Sequence, residues 1–247
     1  MTMPILITGA SSGIGRAIAQ RAAAQGKSVI LAGRDHQELD RSAADLKLRY
    51  NVDAVVEPFD ALDFDSHAAF FDRCAAHSPE GLAGIIVCHG FLAAQAQAQR
   101  DPDVARRIIN TNYTSAVSVL NLGATYFEQR RAGFICAISS VAADRGRQSN
   151  YLYGSAKAGL TTYLQGLRNR LIRAGVPVII VKPGFVDTPM TYGMAGMFLV
   201  APADRVARDT LVAIRRGSST IYTPWFWRFI MLIIRGIPEP IFKRMKL

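Results

Sequence analysis

Seven short aliphatic runs set the limits on what this chain can fold into. They read PILIT (4–8), SVILA (28–32), DAVVEPF (53–59), GIIVC (84–88), GFICAIS (133–139), PVIIVK (177–182) and STIYT (219–223), with longer helical patterns between them. Several show no alternation of apolar and polar residues, so both faces of the strand must be buried. A parallel sheet covered by helices on both sides meets that demand. The spacing therefore predicts repeated βαβ units in an α/β, doubly wound, seven-stranded parallel sheet. The chain has 247 residues, 50% of them hydrophobic, which is enough for one such core. Neither a repeat nor a low-complexity linker divides residues 1–223, which read as a single domain, and residues 224–247 form a tail of different character.

The first run is followed at once by TGASSGIGRAIA, with Gly9, Gly13 and Gly15 at the strand-to-helix junction. Gly9 suits the tight turn, Gly13 lets backbone approach a pyrophosphate, and Gly15 lets the helix pack closely on the sheet, a Rossmann-type arrangement. The helix N-terminus then offers N–H groups and positive dipole to the phosphates. On this reading Gly9, Ser11, Ser12, Gly13, Ile14 and Gly15 contact a dinucleotide. At the end of the second run, where a carboxylate would take the adenosine ribose, Gly33 has none and Arg34 follows. A guanidinium there pairs with a 2′-phosphate, so NADP(H) is favoured over NAD(H), with Asp35 a further ribose candidate.

The stretch NYLYGSAKAG (150–159) contains two tyrosines and one lysine. Four residues along a helix share a face, which makes Tyr153 and Lys157 neighbours, whereas Tyr151, six positions from the lysine, points about 120° away. A phenol with a reference pKa near 10 needs a nearby cation to trade protons at neutral pH, and Lys157 is spaced to supply it. The chemistry is therefore assigned to Tyr153. Upstream, FICAISSVAAD ends a strand in two serines, at the sheet edge where active-site groups gather, and NTNYTS sets Asn112 in a helical segment beside them.

Taken in order, these motifs resemble the short-chain dehydrogenase/reductase family over nearly the whole core, from Thr8 to the stretch KPGFVDTPM. The resemblance implies a tetrad of Asn112, Ser140, Tyr153 and Lys157: Ser140 holds a carbonyl oxygen, Tyr153 exchanges its proton, Lys157 tunes the phenol and binds the nicotinamide ribose, and Asn112 helps hold a relay water. It also implies that Asp60 contacts adenine, that Gly90 keeps a backbone contact with the adenosine side, and that Pro183, Gly184, Val186 and Thr188 close over the nicotinamide. NADPH then delivers hydride to a carbonyl, or NADP⁺ accepts it from an alcohol. One departure is plain. Val87, Cys88 and His89 stand where the family usually has Asn-Asn-Ala, so His89 or Cys88 must replace the hydrogen bonds that brace the sheet. Metal is not expected, since His36, His67, His77 and His89 lack ligand spacing. With the tetrad complete, a cofactor-binding sensor without chemistry is the remote alternative.

The segment TPMTYGMAGMFLVAPADR occupies the family's substrate-lid position and is rich in Met190, Met194, Met197, Phe198 and Leu199. Those side chains suit an apolar substrate or, equally, packing on the domain. The tail PWFWRFIMLIIRGIPEPIFKRMKL sets Arg228, Arg235, Lys243, Arg244 and Lys246 against Glu239 alone, a side-chain charge of +4. Its longest uncharged apolar run, 229–234, is far too short to span a bilayer. Trp225 and Trp227 beside cations fit an interfacial anchor on anionic lipid, with Pro238 and Pro240 breaking the tail into two pieces; a contact in a homodimer or homotetramer fits as well. The tail also resembles that of the reductase which, with a flavin oxidase, epimerises a lipid-linked ribose, making lipid-linked keto-sugars a concrete substrate class beside small soluble ketones, quinones and acyl intermediates.

The formal net charge of +10 calls for an anionic partner, but arginines scattered through helices argue against nucleic acid. The first run begins at Pro4, leaving no room for a secretory signal, and Cys74, Cys88 and Cys136 form no disulfide pattern. A cytoplasmic location, with peripheral attachment to the membrane as an option, is expected.

Overall fold

A computed structural model describes residues 3–193 and 196–245, so Met194 and Lys246 lie outside the described residues. All seven predicted strands form: β1 (Ile5–Thr8), β2 (Val29–Gly33), β3 (Ala54–Pro58), β4 (Gly84–Val87), β5 (Ile135–Ile138), β6 (Val178–Pro183) and, after a two-residue parallel pair of β7 (Val186–Asp187) with β8 (Ala201–Pro202), β9 (Thr220–Thr223). The main sheet runs β3-β2-β1-β4-β5-β6-β9 with every pairing parallel. Its strand order reverses between β1 and β4, and the carboxyl ends of those strands open the crevice of a doubly wound fold.

The absence of alternation in the strands is explained by two cores. Leu6 of β1 and Ile85 of β4 pack into the layer of Phe70, Phe127 and Leu164, whereas their neighbours Ile7 and Ile86 pack into the opposite layer of Ile18, Leu39 and Val206. Successive side chains leave opposite faces of a strand, so each layer takes every second residue. Each such buried side chain contributes about 1.5–3 kcal/mol.

Helices α1 (Gly13–Ala23), α2 (His36–Tyr50), α3 (His67–Ala76), α4 (Gln95–Ala98), α5 (Pro102–Ile109), α6 (Ser115–Arg130), α7 (Tyr151–Leu171) and α8 (Ala203–Arg215) cover the sheet. A π-helical turn, Asn110–Thr114, joins α5 to α6. The tail divides at Pro238 into α9 (Trp227–Gly236) and α10 (Glu239–Phe242), as its prolines predict. No helix among the described residues is long and apolar enough to cross a membrane.

Sequence alone left open whether the tail's apolar side chains are spent inside the molecule. Half of them are. Trp227 and Met231 are fully buried against Val141, with Phe185 and Tyr222 alongside. Trp227 lies so close over Gly184 that a Cβ there would sit 1.9 Å from its Nε1, which only glycine permits. Arg145 locks the end of α9: its guanidinium donates to the carbonyls of Ile234 and Ile237, both at 2.6 Å, and to Glu239 at 2.9 Å, and stacks 3.6 Å from the Phe242 ring centre. The Arg145 cation satisfies carbonyls that a helix C-terminus leaves orphaned.

Candidate active site

The crevice at the strand reversal is a cavity of about 350 Å³. Its near wall is the glycine turn. Gly9 has φ +68°, and a Cβ on it would lie 2.6 Å from the His89 backbone; a Cβ on Gly15 would lie 2.3 Å from the Gly9 carbonyl. The turn and the first helical turn thus press together as the spacing predicts. Ser12 caps α1 by accepting the Gly15 N–H at 3.1 Å, and Gly9, Ser11, Ser12, Gly13 and Ile14 line the cavity, whereas Gly15 is buried behind it. The cavity wall continues through Arg34, Asp60 and Gly90 to Ser140, Tyr153, Lys157, Pro183, Gly184, Val186 and Thr188.

Arg34 is exposed on this wall and has no carboxylate partner among the described residues. Asp35 is spent elsewhere: its Oδ1 caps α2 by accepting the Glu38 N–H at 3.0 Å. Asp35 does not line the cavity. Asp60 keeps one carboxylate oxygen on the Leu62 N–H at 2.9 Å, which fixes the turn after β3.

Helix α7 carries Tyr153 and Lys157 on one face. Lys157 Nζ lies 5.8 Å from the Tyr153 ring centre and donates to the Ile138 carbonyl at 2.9 Å. Burial pushes the Tyr153 phenol up to about 12, against an opposing hydrogen bond with Ser140, and pushes the Lys157 ammonium down to about 8. Tyr153 is therefore protonated across the neutral range, and Lys157 is charged below about pH 8. Tyr151 turns away from the cavity to donate to Gln99 at 3.1 Å, so it forms no part of the pocket wall. Both serines line the cavity, but their hydroxyls are engaged differently: Ser139 bonds the Lys157 carbonyl and Thr161, whereas Ser140 caps a short 3₁₀ turn by accepting the Ala142 N–H at 3.1 Å.

Asn112 is buried inside the π turn and does not line the cavity. Its amide donates to the carbonyls of Phe91 and Ile108 at 2.6 and 2.8 Å and accepts the Phe91 N–H at 3.2 Å. The side chain thereby holds the loop after β4.

The departure at 87–89 is resolved by His89. Ser115 donates to the Thr111 carbonyl at 2.8 Å, so its lone pair takes the His89 Nε2–H at 2.9 Å, and His89 Nδ1 accepts from Thr8 at 2.8 Å. The imidazole ties the end of β1 to α6 through the end of β4. Burial, with the Lys157 charge nearby, drives it down to about 3, which keeps it neutral. Cys88 is held as a thiol by burial, pushed up to about 12.

Sequence reasoning missed Arg107, which lines the cavity with its guanidinium 4.2 Å from the Phe91 ring centre. It also missed the ion pair of Lys182 with Asp144, whose second oxygen accepts from Tyr222 at 2.8 Å. Neither has a local signal, since both join residues far apart in sequence.

A model of the short chain dehydrogenase family matches residues 4–195. The chain belongs to the short-chain dehydrogenase/reductase family. It is 36% identical over 243 residues to an uncharacterized oxidoreductase of Mycobacterium tuberculosis, covering 98% of this chain and 96% of that one. An uncharacterized oxidoreductase of Streptomyces coelicolor is 34% identical over 242 residues, covering 98% and 95%. Among solved structures, a short-chain dehydrogenase from Sphingobium yanoikuyae in complex with NADPH superposes with a TM-score of 0.82 at 26% identity, covering 96% of this chain and 97% of that one. The protein is thus an NAD(P)-dependent oxidoreductase of the short-chain type.

Proposed function

We propose that this short-chain reductase uses NADPH to reduce the carbonyl of an apolar or lipid-linked substrate, and that residues 224–247 hold it peripherally at the anionic cytoplasmic face of a membrane. The observation that carries the reaction is Tyr153, kept protonated by burial beside Ser140 and Lys157 on one cavity wall. The cavity fits a dinucleotide by its own construction: a glycine turn too tight for any Cβ, a capped helix N-terminus, and an unpaired Arg34. The nicotinamide, when bound, supplies the hydride.

In this reading Ser140 Oγ holds the substrate oxygen, and Tyr153 gives it a proton as negative charge develops there. Lys157, charged below about pH 8, favours that transfer and takes the ribose hydroxyls. Arg34 pairs with a 2′-phosphate. Met190, which lines the mouth, and Phe198 supply the apolar contacts of the lid. The Sphingobium protein's NADPH complex favours the same cofactor here.

A second reading, a reductase of small soluble ketones whose tail serves a homodimer or homotetramer, draws on the burial of Trp227 and Met231, which takes the inner face of α9 out of any lipid contact. NADPH consumption on a matched series of ketones with lengthening chains, and on lipid-linked keto-sugars, tests both. The first reading expects kcat/KM to rise with chain length. A profile that is flat or falls beyond short chains sinks it in favour of the second.

A further inference from the structure

The tail and lid meet. Phe198 near the end of the lid sits with its ring centre 5.4 Å from Trp227 and 5.6 Å from Phe185, which clips the lid to the inner face of α9. On the outer side, Phe198, Leu199 and Val200 of the lid are exposed, and so are Phe229, Leu232 and Ile233 of α9, with Trp225 at 64% exposure stacked edge-on against Phe229. Leu199 holds φ +53°, a backbone region unfavourable to a branched side chain, and yet stands half in solvent. Strain kept for an exposed leucine points to a role outside the fold.

Charge selects the occupant of this face. Arg228, Arg235, Lys243 and Arg244 are exposed and have no carboxylate partner among the described residues, because Glu239 is taken by Arg145. A two-fold contact with a second copy would set these cations against themselves. An anionic bilayer offers phosphates to the cations and an acyl layer to the apolar side chains.

We infer that the distal lid and α9 form one bilayer-docking face, which sets the cavity mouth at Met190 on the lipid surface. Docking requires both elements, not the tail alone. The lid belongs to it because Phe198 packs against Trp227, and the mouth follows because Pro189, Met190 and Thr191 line both the cavity and the lid's first half. That the substrate is drawn from the lipid rests on the proposed substrate class; the docking itself does not.

The test uses the full chain and vesicles of phosphatidylglycerol or phosphatidylcholine, without substrate. The protein should sediment with the anionic vesicles at least about tenfold more tightly than with the neutral ones. Leu199→Glu in the lid and Ile233→Glu in α9 should each weaken that binding by about tenfold, while Leu48→Glu, on the 88% exposed Leu48 of α2, should leave it unchanged. Thermal unfolding verifies that the variants are folded. Independently of them, brominated lipid should quench the wild-type tryptophan emission and fail to quench Trp225→Phe, because Trp227 is buried. Wild-type protein that ignores anionic vesicles overturns the docking, whatever the substrate proves to be. Leu199→Glu that binds as wild type overturns the joint face and leaves a tail anchor only, and Ile233→Glu that abolishes self-association instead assigns the face to a second copy.

Discussion

The two walls of the cavity are held in place by different means. On the glycine-turn side, backbone meets backbone: Gly9 lies against His89 and Gly15 against the Gly9 carbonyl, at separations no side chain tolerates. On the far side, side chains do the work: Trp227 roofs Gly184, Met231 packs near Val141 next to Ser140, and Asp144 and Arg145 tie the serine loop to Lys182, Tyr222 and the end of α9. Backbone packing of the first kind fits any dinucleotide with the same phosphates. Side-chain packing of the second kind can vary without disturbing the sheet.

The contrast can be broken most directly at the chemistry common to both walls. Tyr153→Phe should cut kcat by about a thousandfold while NADPH affinity is kept, whereas Tyr151→Phe should change kcat less than about twofold; steady-state rates with cofactor titration check both, and equal losses would reverse the choice of tyrosine. The far wall comes next. Trp227→Ala removes a fully buried indole and should cost about 3–5 kcal/mol in denaturant unfolding; a cost under about 1 kcal/mol would mean that the tail is not part of the frame. On the near wall, Arg34→Ala should weaken NADPH binding by about ten- to a hundredfold and NADH binding little, as measured by fluorescence titration. An unchanged ratio of the two affinities would show that Arg34 does not meet a 2′-phosphate.

The smallest effect is with pH. Lys157, lowered by burial to about 8, is charged below that value and loses its proton above it, while Tyr153, raised to about 12, keeps its own. Carbonyl reduction should therefore run level below about pH 8 and decline as pH rises through it, in a profile of kcat against pH. A profile level to pH 10 would detach Lys157 from the proton transfer.

Much of the catalytic face could be read directly from the sequence because it rests on local rules. The four-residue spacing of Tyr153 and Lys157 fixes a shared helix face, and the Gly9 to Gly15 spacing fixes a turn, wherever the rest of the chain goes. The apolar runs likewise determined the seven strands, and their lack of alternation determined helices on both sides. What no local rule reaches is which distant groups meet. That His89 replaces the missing asparagines by bridging Thr8 and Ser115, that Asn112 turns its amide onto Phe91, and that Trp227 of the tail is buried over Gly184 while Phe229, Leu232 and Ile233 face outward, all depend on tertiary contacts across tens of residues. A hydrogen bond or a packed ring needs its partner within a few ångströms, and for residues far apart in the chain only the assembled fold determines that distance.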